Sequence, residues 1–224
     1  MVDPPSPIVE PRLAASVILL RDTESGPEIL YLRRNPELRF MGGYWVFPGG
    51  RIDAADHATE PDEDEFGAAR RAAAREALEE AGVQVDPKGL HQICEWTTPE
   101  SSPIRFATWF FAVAANPEMV RVDGVEILDH QWQRPEDALR AHRGGGIQFA
   151  NPTFALSTRL SGHATVRDAL TEIDSWPRER LLGRIEHRRH LVRPANVALE
   201  RHRPLADRAA GETKTHHGGV FHAD

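Results

Sequence analysis

The sequence predicts an α/β fold in which a mixed β-sheet packs between α-helices. Apolar runs of strand length lie on both sides of one long helical segment at residues 66–81. A second helix is indicated directly after the last strand by Pro135, Glu136 and Asp137, which suit the first turn of a helix. Strands arranged around helices in this order bury the faces of a sheet between helical layers.

The residues before the long helix predict a hairpin and then a short buried strand. Residues 1–11 are rich in proline and are expected to be extended. Strands are predicted at residues 14–20 and 29–32, with a turn at Ser25-Gly26-Pro27 between them. A further strand at residues 45–47 leads into a glycine turn.

Three more strands are predicted after the long helix. Residues 92–97 and 105–113 are joined by a turn at residues 99–103. The run 105–113 is apolar on both faces, which is typical of a central strand. The last strand is predicted at residues 126–132, immediately before the second helix.

Beyond the extended N-terminal segment, the chain divides into three parts. The main domain is predicted at residues 12–142. A helical extension covers residues 143–176, with one helix ending near Leu160 and another at residues 165–173. Residues 177–224 form a tail rich in arginine and histidine, which we expect to be partly disordered, and the irregular spacing of its histidines is not that of a zinc site.

Composition and charge are those of a soluble globular protein. Of the 224 residues, 40% are hydrophobic and 27% are charged, and the formal net charge is −7. This negative balance argues against a nucleic-acid backbone as the main partner, and no apolar run approaches the length of a membrane span. Cys94 is the single cysteine, which excludes an intrachain disulfide. No signal peptide is visible at the N-terminus, so a cytoplasmic location is expected.

The segment from residue 47 to residue 83 carries the chemistry of the chain. Its closing helix places three carboxylates at i, i+3 and i+4 on one face, namely Glu76, Glu79 and Glu80. Like charges on neighbouring turns cost about 0.2–0.5 kcal/mol per pair, and a hard divalent cation would relieve the repulsion. On the opposite face, Ala74, Leu78 and Ala81 are expected to lie against the sheet. Gly82 suits the left-handed residue that ends a helix.

This segment resembles the Nudix box, in which a Gly-Gly turn leads to a helix carrying Arg-Glu-x-x-Glu-Glu-x-Gly-hydrophobic. The turn here is Phe47-Pro48-Gly49-Gly50, and the helix matches from Arg75 to Val83, with Ala77 where a larger apolar residue is common. An acidic helix run is ordinarily a solvated face, but the glycine turn before it and the glycine stop after it favour the motif.

The box is interrupted. The family usually has thirteen residues between the glycine and the arginine, whereas twenty-four separate Gly50 from Arg75, so about eleven are inserted. The glutamate that the family places eight residues before its arginine is replaced by Gly67. Glu63 and Glu65, at the end of the acidic inserted segment, are the candidates for its role.

A second and weaker resemblance is to the subgroup with an interrupted box that includes the peroxisomal coenzyme A diphosphatases. It rests on the insertion, on Trp-Val-Phe-Pro-Gly-Gly-Arg-Ile-Asp-Ala-Ala-Asp at residues 45–56, and on Asn-Pro-Thr-Phe-Ala-Leu at residues 151–156. A separate coenzyme A signature beside the box is lacking. The subgroup makes coenzyme A or acyl-coenzyme A the first substrate to consider.

The family resemblance implies the Nudix fold over residues 12–142 and a hydrolase that cleaves the diphosphate bond of a nucleoside diphosphate linked to another group. The implied cofactor is Mg²⁺ or Mn²⁺, which prefers carboxylate oxygens, neutralises phosphoryl oxygens and activates water. The implied metal ligands are Glu76, Glu79, Glu80 and the backbone carbonyl of Gly50, with Gly49 as an alternative to Gly50.

The catalytic residues implied by the resemblance are Glu76, Arg75 and Glu126. Arg75 is expected to pair with carboxylates and fix their rotamers. The general base is either Glu76 or Glu126. Glu126 stands six residues before Trp132, where many family members bring a glutamate to the metal site, and an exposed charge at a strand entry is the equal alternative.

Three arginines are candidates for binding the substrate phosphates, namely Arg33, Arg34 and Arg51. For Arg33 and Arg34, a solvated strand end is an equal alternative. Aromatic residues that could stack a base are Phe40, Tyr44 and Phe154, although core packing is the commoner role of such side chains.

Two further functions stay open. The enzyme could hydrolyse ADP-ribose, a nucleotide sugar or a dinucleotide cofactor instead, or the fold could serve as a ligand-sensing module without turnover. Gly67 and the interruption favour a sensing module, whereas retention of all three helix glutamates opposes it. The expected partner in each case is a small nucleoside diphosphate derivative and neither nucleic acid nor a membrane, and a homodimer is compatible with all of these functions.

Overall fold

The computed structural model describes residues 8–57, 64–117 and 119–182, and within them it confirms the predicted α/β fold. The sheet contains β1 (Arg12–Arg21), β2 (Glu28–Arg34), β3 (Trp45–Val46), β4 (Gly49–Arg51), β5 (His91–Thr97), β6 (Phe106–Ala114), β7 (Ile127–Gln133) and β8 (Glu179–Leu182). The α-helices are α1 (Glu65–Ala81), α2 (Pro135–Arg143), α3 (Asn151–Arg159) and α4 (Val166–Ser175), and short 3₁₀ turns occur at Ala54–Asp56 and Pro87–Gly89.

The sheet is mixed, and the parallel pair β1 and β6 lies at its centre. The strand order is β3-β2-β1-β6-β5-β8, with β7 paired to β2 and β4 paired to β1. The predicted hairpin is confirmed, because β1 runs antiparallel to β2. The predicted central position of β6 is also confirmed, because this strand lies between β1 and β5 and buries Phe110 and Phe111.

One edge of β1 is shared between two partners. The first half of β1 pairs with β4, where Ala15 opposes Gly50, and its last residues pair with β2, where Leu20 opposes Ile29. The glycine turn is therefore itself a short strand, and it contacts α1. This pairing fixes the glycine backbone between the sheet and the helix that carries the glutamates.

Helix α1 packs on one face of the sheet through a stripe of alanines. Ala69, Ala73 and Ala77 are fully buried and belong to the same core cluster as Val17 and Leu30 from β1 and β2. Because alanine has the shortest of the apolar side chains, the helix axis can approach the strands closely.

The buried face predicted for α1 is confirmed at Ala81, which is fully buried in the core, and is wrong at Leu78. Leu78 is 52% exposed, and Ala77 is buried in its place. The reason is that Glu76 and Glu80 turn toward β4, so the buried face of the helix is the one that carries these two glutamates.

Both ends of α1 have capping residues. The side chain of Asp64 accepts a hydrogen bond from the Gly67 amide at the first turn. Gly82 ends the helix in the left-handed conformation with φ of 66°, as its position in the sequence predicts.

The opposite face of the sheet is covered by α2, α3 and α4, which contribute Leu139, Leu156 and Ile173 to a second core cluster. Strand β8 pairs in parallel with β5, although its residues fall in the range assigned to the Arg- and His-rich tail. The rest of that tail, from residue 183, lies outside the described residues. No helix in the described ranges is long and apolar enough to cross a membrane.

Replacement of Trp176, which links α4 to β8, tests whether this C-terminal segment belongs to the core. The residue is 8% exposed, and the guanidinium of Arg159 lies 3.6 Å from the centre of its ring. We expect Trp176→Ala to lower the free energy of unfolding by about 3–5 kcal/mol, the usual cost of truncating a buried aromatic side chain. Urea denaturation measures the change.

The matched control is Arg167→Ala on the exposed surface of α4, which should shift the free energy of unfolding by less than about 0.5 kcal/mol. Equally small shifts for both variants would show that the segment after α4 adds nothing to the folded core.

Candidate active site

A cavity of about 1030 Å³ lies where β1, β4 and α1 meet. Its lining combines carboxylates with aromatic rings. The carboxylates belong to Asp53, Glu76, Glu79, Glu80, Asp123 and Glu126, and the rings to Phe40, Tyr44, Phe47, Trp96, Phe106 and Phe110. Ligand pockets commonly measure about 300–1000 Å³, so this cavity has room for a large organic ligand.

The glycine strand β4 forms the part of the lining that contacts α1. The amide of Gly49 donates a hydrogen bond of 2.9 Å to Oε2 of Glu80. A Cβ atom at Gly50 would lie 2.1 Å from Oε1 of Glu76, and one at Gly49 would lie 2.6 Å from the carbonyl oxygen of Ala15. Glycine is therefore required at position 49, where a Cβ would clash with the backbone of β1, and a Cβ at position 50 would displace the Glu76 carboxylate from its observed position.

Arg75 organises the carboxylates through a complete set of hydrogen bonds. Nε and Nη2 bind the two carboxylate oxygens of Asp56 at 3.1 and 2.9 Å. Nη1 binds Glu76 and Glu79, both at 2.9 Å, and Nη2 also binds the carbonyl oxygen of Arg51 at 2.9 Å. A guanidinium has five N–H donors, so all of them are used within the protein. These contacts agree with the role of organiser expected for Arg75.

Asp56 is a site residue that the sequence analysis does not predict. It is 4% exposed, and it accepts the forked hydrogen bonds of Arg75. Burial raises the pKa of Asp56, but the hydrogen bonds and charge of Arg75, with the Asp53 amide, outweigh burial and hold the pKa below its usual value. Asp56 is therefore ionised in the folded protein at neutral pH.

A count from the glycine would have identified Asp56. The usual box spacing places its glutamate six residues after the glycine, and Asp56 is the sixth residue after Gly50. The insertion follows this position, so a count back from Arg75 reaches Gly67 instead. Of the two candidates named for this role, Glu65 is the exposed first residue of α1, and Glu63 lies outside the described residues.

The three helix glutamates have different surroundings. Glu80 is 6% exposed, and burial raises its pKa to about 8 in spite of the hydrogen bond from Gly49. Burial also raises the pKa of Glu76, although Arg75 lowers it. The side chain of Glu79 is 58% exposed. Solvent exposure of the side chains therefore increases from Glu80 through Glu76 to Glu79.

The oxygen donors fit a hard cation, although the carboxylates do not converge. In the part of the chain that the structure describes, no group of three His, Cys, Asp or Glu side chains is arranged to hold a metal ion. Arg75 engages Glu76 and Glu79, and Glu80 faces the glycine strand. A buried carboxyl group with a raised pKa would gain from a cation, and a side chain at Gly50 would occupy the space beside the Glu76 carboxylate. Mg²⁺ commonly uses one or two carboxylates and keeps several waters, so Glu76 and Glu80 meet its requirements.

The structure separates the three predicted phosphate-binding arginines. Arg34 and Arg51 line the cavity, whereas Arg33 is exposed and does not. Nε of Arg34 is buried and has no hydrogen-bond partner among the described residues. Arg51 is exposed, and its guanidinium is 3.6 Å from the carboxylate of Asp53. Arg34 is thus a cation in the cavity lining whose buried Nε–H has no hydrogen-bond acceptor among the described residues.

Glu126 lies in the same cavity, immediately before β7. Its side chain is 58% exposed, and Oε2 is 3.6 Å from Nη2 of Arg34. Its negative charge adds to the effects that raise the pKa of Glu76 and of Glu80, after burial in both cases. The structure therefore brings Glu126 close enough to the helix glutamates to interact with them electrostatically.

The predicted aromatic residues also separate. Phe40 and Tyr44 line the cavity, and the ring centre of Phe40 is 5.3 Å from that of Phe106. Phe154 lies outside it, packed against the core and 5.2 Å from the ring of His142. Core packing is therefore the role of Phe154.

Comparison with known proteins identifies a family model and two relatives. The model of the NUDIX domain matches residues 10–151. The chain is 28% identical over 186 residues to nudix hydrolase 7 of Caenorhabditis elegans, in an alignment that covers 67% of this chain and 60% of that protein. It is 24% identical over 251 residues to the human acyl-coenzyme A diphosphatase NUDT19, with 67% of each protein covered. The chain thus spans about 60% of the length of the first relative.

A solved structure shows the same fold. The crystal structure of a NUDIX hydrolase from Alicyclobacillus acidocaldarius has a TM-score of 0.64 with this chain at 23% sequence identity. The superposition covers 74% of this chain and 97% of that one.

Removal of the Asp56 carboxylate is expected to destabilise the fold. Asp56→Ala leaves the guanidinium of Arg75 without its buried partner, and breaking such a pair commonly costs about 3–5 kcal/mol. Because the side chain of Arg75 is 25% exposed, we expect a value near the lower limit, about 3 kcal/mol. The exposed carboxylate of Asp53, 4.0 Å from Arg75, supplies the control, and Asp53→Ala should cost at most about 1 kcal/mol. Equal costs in urea denaturation would contradict the role given to Asp56.

The raised pKa of Glu80 predicts a pH dependence of stability in the metal-free protein. Between its ordinary value of 4.5 and about 8, the folded protein keeps Glu80 protonated while the unfolded chain releases the proton. The free energy of unfolding should therefore fall as the pH rises through this window, and the stabilisation from this group should be lost above about pH 8.

Thermal melting in EDTA across this pH range measures the effect. Glu80→Gln, which has no carboxylate to titrate, should flatten the dependence, whereas Glu79→Gln at the exposed neighbour should preserve it. The same slope in the wild type and in Glu80→Gln would show that Glu80 does not titrate abnormally.

Proposed function

Because this chain belongs to the Nudix family, we propose that it is a divalent-metal-dependent pyrophosphohydrolase that cleaves the diphosphate bond of a nucleoside diphosphate linked to another group. The observation that carries the proposal is the set of five hydrogen bonds made by Arg75 beside a cavity of about 1030 Å³. These bonds tie two helix glutamates to β4 and to a buried aspartate. A solvated acidic helix face would need no such support.

Glu76 and Glu80 are proposed to hold Mg²⁺ or Mn²⁺, with the carbonyl of Gly50 and the more exposed Glu79 as further oxygen donors. When bound, the ion neutralises charge on the phosphoryl oxygens and makes a nearby water more acidic. Arg75 has no donor left for a substrate, so its role is to position the carboxylates. The donor of Arg34 that has no partner among the described residues then supports this arginine as the contact to a phosphate.

The general base is proposed to be a carboxylate of the same cavity, either Glu76 or Glu126. One oxygen of Glu76 accepts a hydrogen bond of 2.9 Å from Arg75, whereas the carboxylate of Glu126 is exposed and lies 3.6 Å from Nη2 of Arg34, which is longer than a hydrogen bond. A carboxylate that is free to accept a proton is the better base, and this favours Glu126.

Coenzyme A or acyl-coenzyme A is the leading substrate. The support comes from the interrupted box and from the similarity to a human protein named as an acyl-coenzyme A diphosphatase. ADP-ribose, nucleotide sugars and dinucleotide cofactors are the alternatives, because each contains the same diphosphate link. Phe40, Tyr44 and Phe106 provide aromatic surface for a nucleoside base in any of these compounds.

A substrate panel tests the reaction class and the substrate together. Purified protein is incubated with coenzyme A, acyl-coenzyme A, ADP-ribose, NADH and nucleotide sugars, each with Mg²⁺, Mn²⁺ or EDTA, and the products are identified by mass spectrometry. We expect metal-dependent cleavage of coenzyme A to 3′,5′-ADP and a phosphopantetheine product. Cleavage of another compound would keep the reaction and change the substrate.

Glu80→Gln tests the assignment of the metal ligands. Loss of a ligand carboxylate should lower kcat at least about 100-fold, equivalent to about 2.7 kcal/mol of transition-state stabilisation, while the protein still melts cooperatively. Glu24→Gln, which removes one exposed charge in the β1–β2 turn, should leave kcat unchanged. Unchanged turnover in folded Glu80→Gln would contradict the assignment. Mn²⁺ binding without cleavage of any panel compound would instead favour a ligand-sensing module.

A further inference from the structure

We propose that Asn35 and Asp123 are positioning residues that hold Glu126 at the reaction cavity through a two-sided hydrogen-bond clamp. The clamp binds the amides of the Glu126 segment from one side and its carbonyls from the other. The inference rests on the proposed function, because it assigns the geometry of a residue that acts in the same cavity.

The Asp123 arm of the clamp binds backbone amides. Oδ1 of Asp123 accepts hydrogen bonds from the amides of Val125 and Glu126, the second at 2.7 Å. The amide of Ile127 lies 3.3 Å from Oδ2 of the same side chain. Gly124, with φ of 73°, makes the turn that lets three successive amides face one carboxylate.

The Asn35 arm binds the carbonyls of the same segment. The Asn35 amide donates to the carbonyl oxygen of Glu126 at 2.7 Å, and its side-chain Nδ2 donates to the carbonyl oxygen of Val125 at 3.0 Å. Asn35 directly follows Arg34, whose guanidinium contacts Glu126. The backbone and the side chain of Glu126 are therefore both held from the end of β2.

Hydrogen bonds hold Val125 and Glu126 because the side chains of these two residues are exposed. Val125 is 71% exposed, and Ile127, the first residue of β7, is the nearest fully buried residue after Glu126. Exposed segments without buried side chains open easily unless polar contacts restrain them. The position of the Glu126 carboxylate should therefore depend on the clamp.

Asn35 also connects Glu126 to the aromatic part of the lining. Its Oδ1 accepts a hydrogen bond from the Glu37 amide at 3.0 Å, and its carbonyl oxygen accepts one from the Leu38 amide at 3.1 Å. These bonds lie at the beginning of the connection between β2 and β3, which contributes Phe40 and Tyr44 to the cavity lining. Asn35 thus hydrogen-bonds both to the segment that contains Glu126, a candidate base, and to the start of the segment that contains Phe40 and Tyr44.

Asp123→Ala tests the clamp, with Asp123→Asn as the conservative variant. Loss of the acceptor should lower kcat about tenfold, the effect of about one net hydrogen bond, with a smaller change in KM. Asp123→Asn keeps an oxygen acceptor and should retain most of the activity. If Asp123→Asn is as impaired as Asp123→Ala, the charge of Asp123 matters in itself and the clamp is refuted.

Asp129→Ala, which removes an exposed charge on β7 outside the cavity lining, is the matched control and should not change kcat.

A double-mutant cycle with Glu126→Gln separates positioning from a general structural effect. If Asp123 acts through Glu126, Asp123→Ala should cost nothing further in the Glu126→Gln background. Asn35→Ala, which removes the side-chain bond to Val125, should behave in the same way. Fully additive losses would overturn the proposal.

Amide hydrogen exchange distinguishes failure of the clamp from failure of the proposed function, because it requires no turnover. Asp123→Ala should accelerate exchange at the amides of Val125, Glu126 and Ile127 about tenfold relative to Asp129→Ala. Unchanged exchange would refute the clamp even in an active enzyme. Faster exchange in a protein that cleaves no panel compound would support the clamp and leave only the reaction class to be revised.

Discussion

The guanidinium of Arg75 is the interaction on which the rest of the site depends. Its five donors meet oxygens from three parts of the chain: Arg51 in β4, Asp56 in the following 3₁₀ turn, and the glutamates of α1. Because the guanidinium is planar, these contacts set the distance and orientation of α1 relative to the glycine strand. Hydrogen bonding to Asp56 is the main reason that the pKa of Arg75 is raised, so the positive charge at the centre of these contacts is permanent.

Small residues on both sides make this frame possible. Gly49 and Gly50 leave no side chain between β4 and the glutamates, and the alanine stripe of α1 brings the helix close to the sheet. Close approach has a cost, because it removes Glu80 from water and raises its pKa to about 8. A bound cation would offset that cost, so the burial of Glu80, which is unfavourable in the metal-free fold, is a feature that a metal would relieve.

The sequence predicts the elements whose patterns are local. The spacing of the glutamates and the final Gly82 define α1, and the two-sided apolar run defines β6 as a central strand. The sequence predicts a turn at β4 because glycines carry no periodic signal, and it does not predict β8 because this strand is short and follows charged residues. The sequence does not reveal Asp56 as the partner of Arg75, because the insertion between the two residues changes their usual spacing. In the folded protein the two side chains still meet.

The balance of charge in the cavity bears on the order of events during binding. The described lining contains six acidic side chains, of which Glu80 keeps its proton below about pH 8 in the metal-free protein. Its cations are Arg34, Arg51 and Arg75, and the donors of Arg75 are already used. A diphosphate that enters without a divalent ion therefore meets a negative field, with Arg34 as its best contact. Under the proposed assignment, a divalent ion held by Glu76 and Glu80 would reverse that field, and a diphosphate would supply further oxygen donors for the ion. Each ligand should then raise the affinity for the other by the same factor, since a coupling free energy between two binding events is reciprocal. On this reasoning, the ion and its substrate would together bring closer the carboxylates that do not converge in the protein alone.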